Sequence, residues 1–194
     1  MVRFERQPPG TALTRSMLVA GGALAGSAGL LVIAREPGAA AVCALGSAVL
    51  ALSGGHRANH GAGGPTDRML DELLDRCWDA AVLGSIAWVA RGQDASTAVA
   101  ALAALCLSFL SAYVRARGAS LSYSVEESHV TRGVRYGLVS AGLAFGWLGW
   151  TLWAVAVLSA LATVVRTTQV ANEEHRTAAA REEGAGPVAR QEGA

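Results

Sequence analysis

The chain has 194 residues, of which 52% are hydrophobic and only 16% charged. A soluble domain carries about 25% charged residues; here the charges cluster and leave long windows with none, so lipid must be the solvent for much of the chain. The formal net charge of +1 excludes a strongly acidic or basic protein, and no nucleic-acid partner is expected.

All sixteen basic residues are arginine. That bias, with the abundance of Ala and Gly, is the imprint of a GC-rich bacterial genome and points to a multi-pass protein of a bacterial cytoplasmic (inner) membrane. Cys43, Cys77 and Cys106 lie in or beside apolar runs and read as small buried hydrophobes. No pair of them has metal-ligand spacing.

A first apolar run, 16–34, is long enough to cross the roughly 30 Å hydrocarbon core as a helix. A signal peptide is the competing reading, because Arg15 precedes the run and Ala23-Leu24-Ala25 imitates a cleavage site. The apolar stretch outlasts that site and more spans follow, which favours a span. Gly22 and Gly26 form a small-xxx-small step suited to close helix approach. Arg35-Glu36-Pro37-Gly38 is a turn.

A second apolar run covers 39–52, followed by a polar stretch, 53–66, rich in Gly and His. A third helix begins near Asp67 with acidic residues and turns apolar from Ala80 to Ala90. Arg91-Gly92-Gln93-Asp94 is a short loop, and a fourth run covers 95–114. After a second polar stretch, 115–135, come thirty residues without a charge, Tyr136 to Val165. As one helix they would extend about 45 Å at 1.5 Å per residue, too long for an ordinary span. Gly146-Trp147-Leu148-Gly149-Trp150 offers a break with interfacial aromatics and predicts two helices joined by a tight turn. The remainder, 173–194, predicts a disordered cytoplasmic tail.

The fold class is therefore all-α: a six-helix polytopic membrane domain over 1–172, with both termini on one side. Only Arg35 and Arg91 fall on the other side, against fourteen arginines with the termini. Such asymmetry makes the terminal side cytoplasmic.

The third helix opens with Asp67, Asp71, Asp75 and Asp79, four residues apart and so stacked on one face. Like charges at that spacing repel, and the cost grows in a membrane unless cations or hydrogen bonds absorb the charge. Two readings fit. The stripe is a divalent-metal site with oxygen ligands suited to Mg²⁺ or Mn²⁺, or it is a helix end whose acids pair with Arg68 and Arg76 and favour the helix N-terminal dipole. Leu70, Leu73, Leu74 and Trp78 on the other faces mark a packed helix, which tilts the balance toward a site.

These residues resemble the second half of the signature of the CDP-alcohol phosphatidyltransferases, membrane enzymes of phospholipid synthesis. That signature runs D-x-x-D-G-x-x-A-R-x8-G-x3-D-x3-D, and Asp71 and Asp75 match its last two acids. Ser111-Ala112-Tyr113-Val114-Arg115-Ala116-Arg117-Gly118 is similar to the family's S-Y-x-[KR]-A-R segment. Arg132-Gly133-Val134-Arg135 resembles its E-R-x-E-R step with both Arg kept and both Glu lost, and Thr163-Val164-Val165-Arg166 resembles the end of its sixth helix. The likeness covers nearly the whole chain.

The first half of the signature departs. Leu50 and Ser53 fall on its first two Asp positions, and no Asp or Glu stands between Glu36 and Asp67. The resemblance implies transfer of a phosphatidyl group from a CDP-diacylglycerol-like membrane lipid to a small polar alcohol with release of CMP. It also implies a homodimer, Mg²⁺ or Mn²⁺ as cofactor, Asp71 and Asp75 as metal ligands, Asp75 as catalytic base, and Arg117, Arg132 and Arg135 binding a phosphate. His56, Asn59 and His60 sit where the lost ligands would be; they are substitutes for those ligands or simply loop residues.

Two other readings stand beside transfer. One is a catalytically inactive relative that binds lipid or nucleotide or pairs with an active partner, which the loss of two acids favours. The other is a small transporter with intramembrane acids as ion sites, although the acids here lie toward a helix end and the two halves show no broken-helix symmetry.

Overall fold

Helix boundaries follow the breakers. In the computed structural model six helices run in chain order among the described residues: α1 (Thr11–Ile33), α2 (Pro37–Asn59), α3 (Pro65–Ala90), α4 (Ala95–Ser120), α5 (His129–Phe145) and α6 (Leu148–Ala185). The structure describes residues 11–59, 64–121 and 129–185, and among these it describes the side chains at all but 59, 129–131, 173–174 and 177–185.

The α1–α2 turn has Arg35 in the left-handed region (φ 63°), with the Glu36 N–H donating back to the Leu31 carbonyl at 2.9 Å. Pro37 then opens α2, its fixed φ suited to a first helical position. Asp94 caps α4, accepting from the Ser96 N–H at 3.0 Å and from the Thr97 hydroxyl at 2.5 Å. Gly146 takes φ 74° between α5 and α6, a conformation an L side chain resists; the tight turn expected inside the charge-free stretch is therefore present.

Three expectations are corrected. The polar stretch 53–66 is not a loop throughout, since α2 runs on to Asn59; Gly54 and Gly55 remain helical because they lie buried against other helices. The expected tail from 173 is helical as far as Ala185, consistent with the strong helix propensity of its Ala, Glu and Arg residues, while 186–194 lie outside the described residues. Cys77 and Cys106 are exposed and Cys43 is half-buried, because each lies off the buried stripe of its helix.

Among the described residues four helices, α1, α2, α4 and α6, are long and apolar enough to cross a membrane. The others are less apolar: α3 carries the acids, and α5, only 17 residues long, carries Arg132 and Arg135. Large apolar side chains face outward, Trp150 at 85% exposure and Leu30 at 69% among them, as expected of a surface bathed in lipid.

Inside, packing relies on small residues. Ala28, Ala44, Ala100 and Ala104 are fully buried around Trp78, Leu83, Ile86 and Tyr136. A Cβ added at Gly29 would lie 2.6 Å from the Ala81 carbonyl oxygen, so this glycine sets the approach of α1 to α3. Of the two glycines singled out in sequence, Gly22 meets Leu74 of α3, and Gly26 has nothing within 4 Å. The α3 stripe ends up in the interior, with α1, α2 and α4 packed against α3.

Candidate functional site

The four-residue spacing on α3 delivers what it promises locally: Asp67, Asp71, Asp75 and Asp79 all point inward and are at most 3% exposed. Four buried carboxylates in a row are untenable without counter-charge. Two other helices, α1 and α5, and α3 itself supply it.

At the start of α3, Asp67 accepts from Arg15 Nε of α1 at 2.5 Å and from the Gly64 N–H at 2.8 Å. One turn on, Arg132 Nη1 of α5 donates to both oxygens of Asp71, at 3.1 and 3.0 Å. Asp75 sits at the centre. It accepts from Arg135 Nη2 at 2.9 Å, from Arg76 on its own helix and from the Tyr136 hydroxyl, with Arg132 Nε at 3.5 Å. Deepest, Asp79 lies 3.2 Å from both Arg76 Nη1 and Arg135 Nε and accepts from the Ser108 hydroxyl of α4.

Ser108 knits this together, since its oxygen also receives Arg76 Nη1 at 2.5 Å and Arg135 Nη1 at 3.0 Å. One donor and two lone pairs are then all in use. Trp78 packs on Tyr136 with ring centroids 4.1 Å apart and the planes tilted by 43°, closing the apolar wall around the network.

Sequence reasoning placed Asp71, Asp75, Arg132 and Arg135 at the site, and the structure brings these four together. It does not bring Arg117 in: that residue is exposed near the end of α4. Its neighbour Arg115 pairs instead with Glu72 at 3.0 Å. His56 is exposed on α2, whereas His60 and the side chain of Asn59 lie outside the described residues. What α2 presents to Asp71 is Gly55, where an added Cβ would stand 2.7 and 2.9 Å from the two carboxylate oxygens.

Four participants were missed or left as structural. Arg15 sits at a helix start and reads as an ordinary flanking charge. Arg76 is expected only as a partner of the acids at a helix end; it does pair with Asp75 and Asp79, and it also bonds Ser108 inside the bundle. Ser108 lies in an apolar run and Tyr136 opens one; a polar residue isolated in such a run is the signal that would have marked them. Arg166, from α6, reaches Ser111 of α4. With Arg76, Arg132 and Arg135 it lines a cavity of about 30 Å³, room for a water molecule or two.

A divalent cation prefers six or more oxygen ligands, several of them carboxylates. Among the described residues, no group of three or more His, Cys, Asp or Glu side chains is placed to hold one. The Asp71 oxygens face a guanidinium on one side and the Gly55 backbone on another, and α2 carries no acid. This donor set does not fit a divalent metal pair.

No family model matches the sequence, and no curated protein matches it. Among solved structures the chain is similar to the phosphatidylinositol phosphate synthase PgsA1 of Mycobacterium tuberculosis, whose crystal structure has CDP-DAG bound. The TM-score is 0.69 over 81% of this chain and 85% of that one, at 22% sequence identity. A likeness at that identity establishes a shared fold.

Proposed function

We propose that this chain is a CDP-alcohol phosphatidyltransferase-like membrane protein of phospholipid synthesis, acting on a CDP-diacylglycerol-like donor. The observation that carries the proposal is the extensive fold likeness to a synthase crystallised with CDP-DAG. The buried acids of α3 facing the arginines of α5 add to it. In this reading all six helices cross a bacterial cytoplasmic membrane, both termini are cytoplasmic, and the protein works as a homodimer.

Transfer would proceed by attack of an acceptor hydroxyl on the phosphatidyl phosphorus. The phosphorus–oxygen bond to CMP breaks, CMP leaves, and the hydroxyl proton passes to a base. Asp75 is the base in this reading. To accept that proton it must give up one of the donors now bonded to it, Tyr136 being the neutral one. Arg132 and Arg135 would hold a phosphate by charge-assisted hydrogen bonds. His56 and Arg117, exposed near the same end of the bundle, would meet the polar part of the substrates, with Asn59 and His60 adjoining in sequence.

The test is CMP release from CDP-diacylglycerol by the purified, folded protein in lipid nanodiscs, across glycerol phosphate, inositol phosphate and unphosphorylated alcohols. Release that is lost in Asp75→Asn supports transfer. Absence of release with every acceptor removes it.

A second reading, a non-catalytic relative binding lipid or nucleotide or pairing with an active partner, is favoured by one observation: each ladder carboxylate is already ion-paired with an arginine. Under it, neither Asp71→Asn nor Asp75→Asn alters the lipid composition of cells that carry the variant.

A further inference from the structure

Among the described residues, protein groups balance the charge of the buried ladder. The four carboxylates Asp67, Asp71, Asp75 and Asp79 stand against the four guanidiniums of Arg15, Arg76, Arg132 and Arg135. Two of those guanidiniums come from α5, a helix with no acid of its own. Among the described residues, the carboxylates they face are the ladder's. Arg132 spans both oxygens of Asp71, and the two oxygens of Asp75 are divided between Arg135 and Tyr136 on one side and Arg76 on the other.

We propose that Arg76, Arg132 and Arg135 are the resident cations of the Asp71–Asp75–Asp79 ladder, standing where a divalent metal would be needed, so that the site is built and held without metal. Three features argue for it together. A dication entering a balanced cluster would leave it with a surplus positive charge in a low-dielectric interior, which is heavily penalised. It would also have to evict Arg132 from the Asp71 oxygens, because the remaining face of that carboxylate abuts the Gly55 backbone. Finally, α2 offers no carboxylate to complete a coordination shell. Guanidinium planes suit the task, since each can serve two carboxylates at once through a fixed fork of donors; Arg135 does so between Asp75 and Asp79.

The inference concerns charge and is independent of whether the site transfers a phosphatidyl group. It is tested on the full chain in nanodiscs by the electron paramagnetic resonance signal of free Mn²⁺, together with thermal unfolding in EDTA and in excess Mn²⁺. The expected result is that the wild-type protein leaves the Mn²⁺ signal undiminished and unfolds at the same temperature in both conditions. Stoichiometric Mn²⁺ binding by the wild type, abolished by Asp71→Asn, overturns it.

Arg132→Gln removes one resident cation, and its unfolding temperature should fall in EDTA and recover part of the loss in Mn²⁺. If that variant does not fold, the wild-type measurement decides alone. CMP release in the same samples separates the two proposals. Release abolished by EDTA and restored by Mn²⁺ overturns this inference and leaves transfer standing; no release together with no Mn²⁺ binding does the reverse.

Discussion

Replacing Arg132 by Met removes a guanidinium that is 3% exposed and takes from Asp71, also 3% exposed, the two hydrogen bonds of 3.0 and 3.1 Å that Arg132 donates. Met fills most of the volume, so the loss isolates the charge. Breaking a buried ion pair by removing one partner costs about 3–5 kcal/mol, because the other charge stays buried and uncompensated. That is a large share of the roughly 5–15 kcal/mol by which a domain is stable.

The companion change, Asp71→Asn, keeps the side-chain shape that Gly55 accommodates while removing the charge. The double variant should therefore be more stable than Arg132→Met alone. The coupling in the double-mutant cycle should reach about 2–3 kcal/mol, the upper end for residues in direct contact. Equilibrium unfolding in mixed micelles, followed by tryptophan fluorescence, measures all four corners; Trp78 packs on Tyr136 beside the network and reports on it. A loss below about 1 kcal/mol for Arg132→Met, or strict additivity in the cycle, would refute the buried-pair account.

Helix spacing makes a second prediction from two glycines one turn apart on α1. Gly29→Ala drives a Cβ to 2.6 Å from the Ala81 carbonyl oxygen, and a backbone atom cannot step aside cheaply, so a loss of about 1–3 kcal/mol is expected. Gly26→Ala meets nothing within 4 Å and should be neutral or slightly stabilising through helix propensity; the same unfolding assay compares them, and equal losses would contradict the packing described. At the other end of the bundle, the Thr97 hydroxyl, then the backbone N–H groups of Thr97 and Ser96, hold the Asp94 carboxyl below its ordinary value of 3.8. A depressed folded-state value means that the ionised cap contributes fully above the ordinary value, and that its contribution is lost as pH falls from there through the folded value. Asp94→Asn should flatten the dependence of unfolding temperature on pH in that acid window, and an unchanged slope would show the cap to be unimportant.

Much of the fold was legible in the sequence because lipid imposes simple rules. Uninterrupted apolar runs, the Pro37 and Gly146 breaks and the short loop at Arg91–Asp94 located three of the five junctions between the described helices, since a backbone in hydrocarbon has to satisfy its own hydrogen bonds by staying helical. The rule failed where composition and environment disagreed. Gly54, Gly55 and His56 look like loop residues, yet the end of α2 packs on α1 and α3 and remains helical. The Ala/Glu/Arg segment after Asn172 looks like a tail, yet α6 continues into it as far as Ala185.

The ladder divides most clearly between what sequence alone determined and what only tertiary structure decided. A spacing of four puts Asp67, Asp71, Asp75 and Asp79 on one face whatever surrounds them, because that spacing is close to one helical turn. It also guarantees that burial of the face demands cations. Which cations answer is not a local property: Arg132 and Arg135 arrive from a helix some sixty positions away, Ser108 from the middle of α4, and Gly55 from α2. Short-range periodicity decides which side chains share a face, while the partners across that face depend on how the other helices pack.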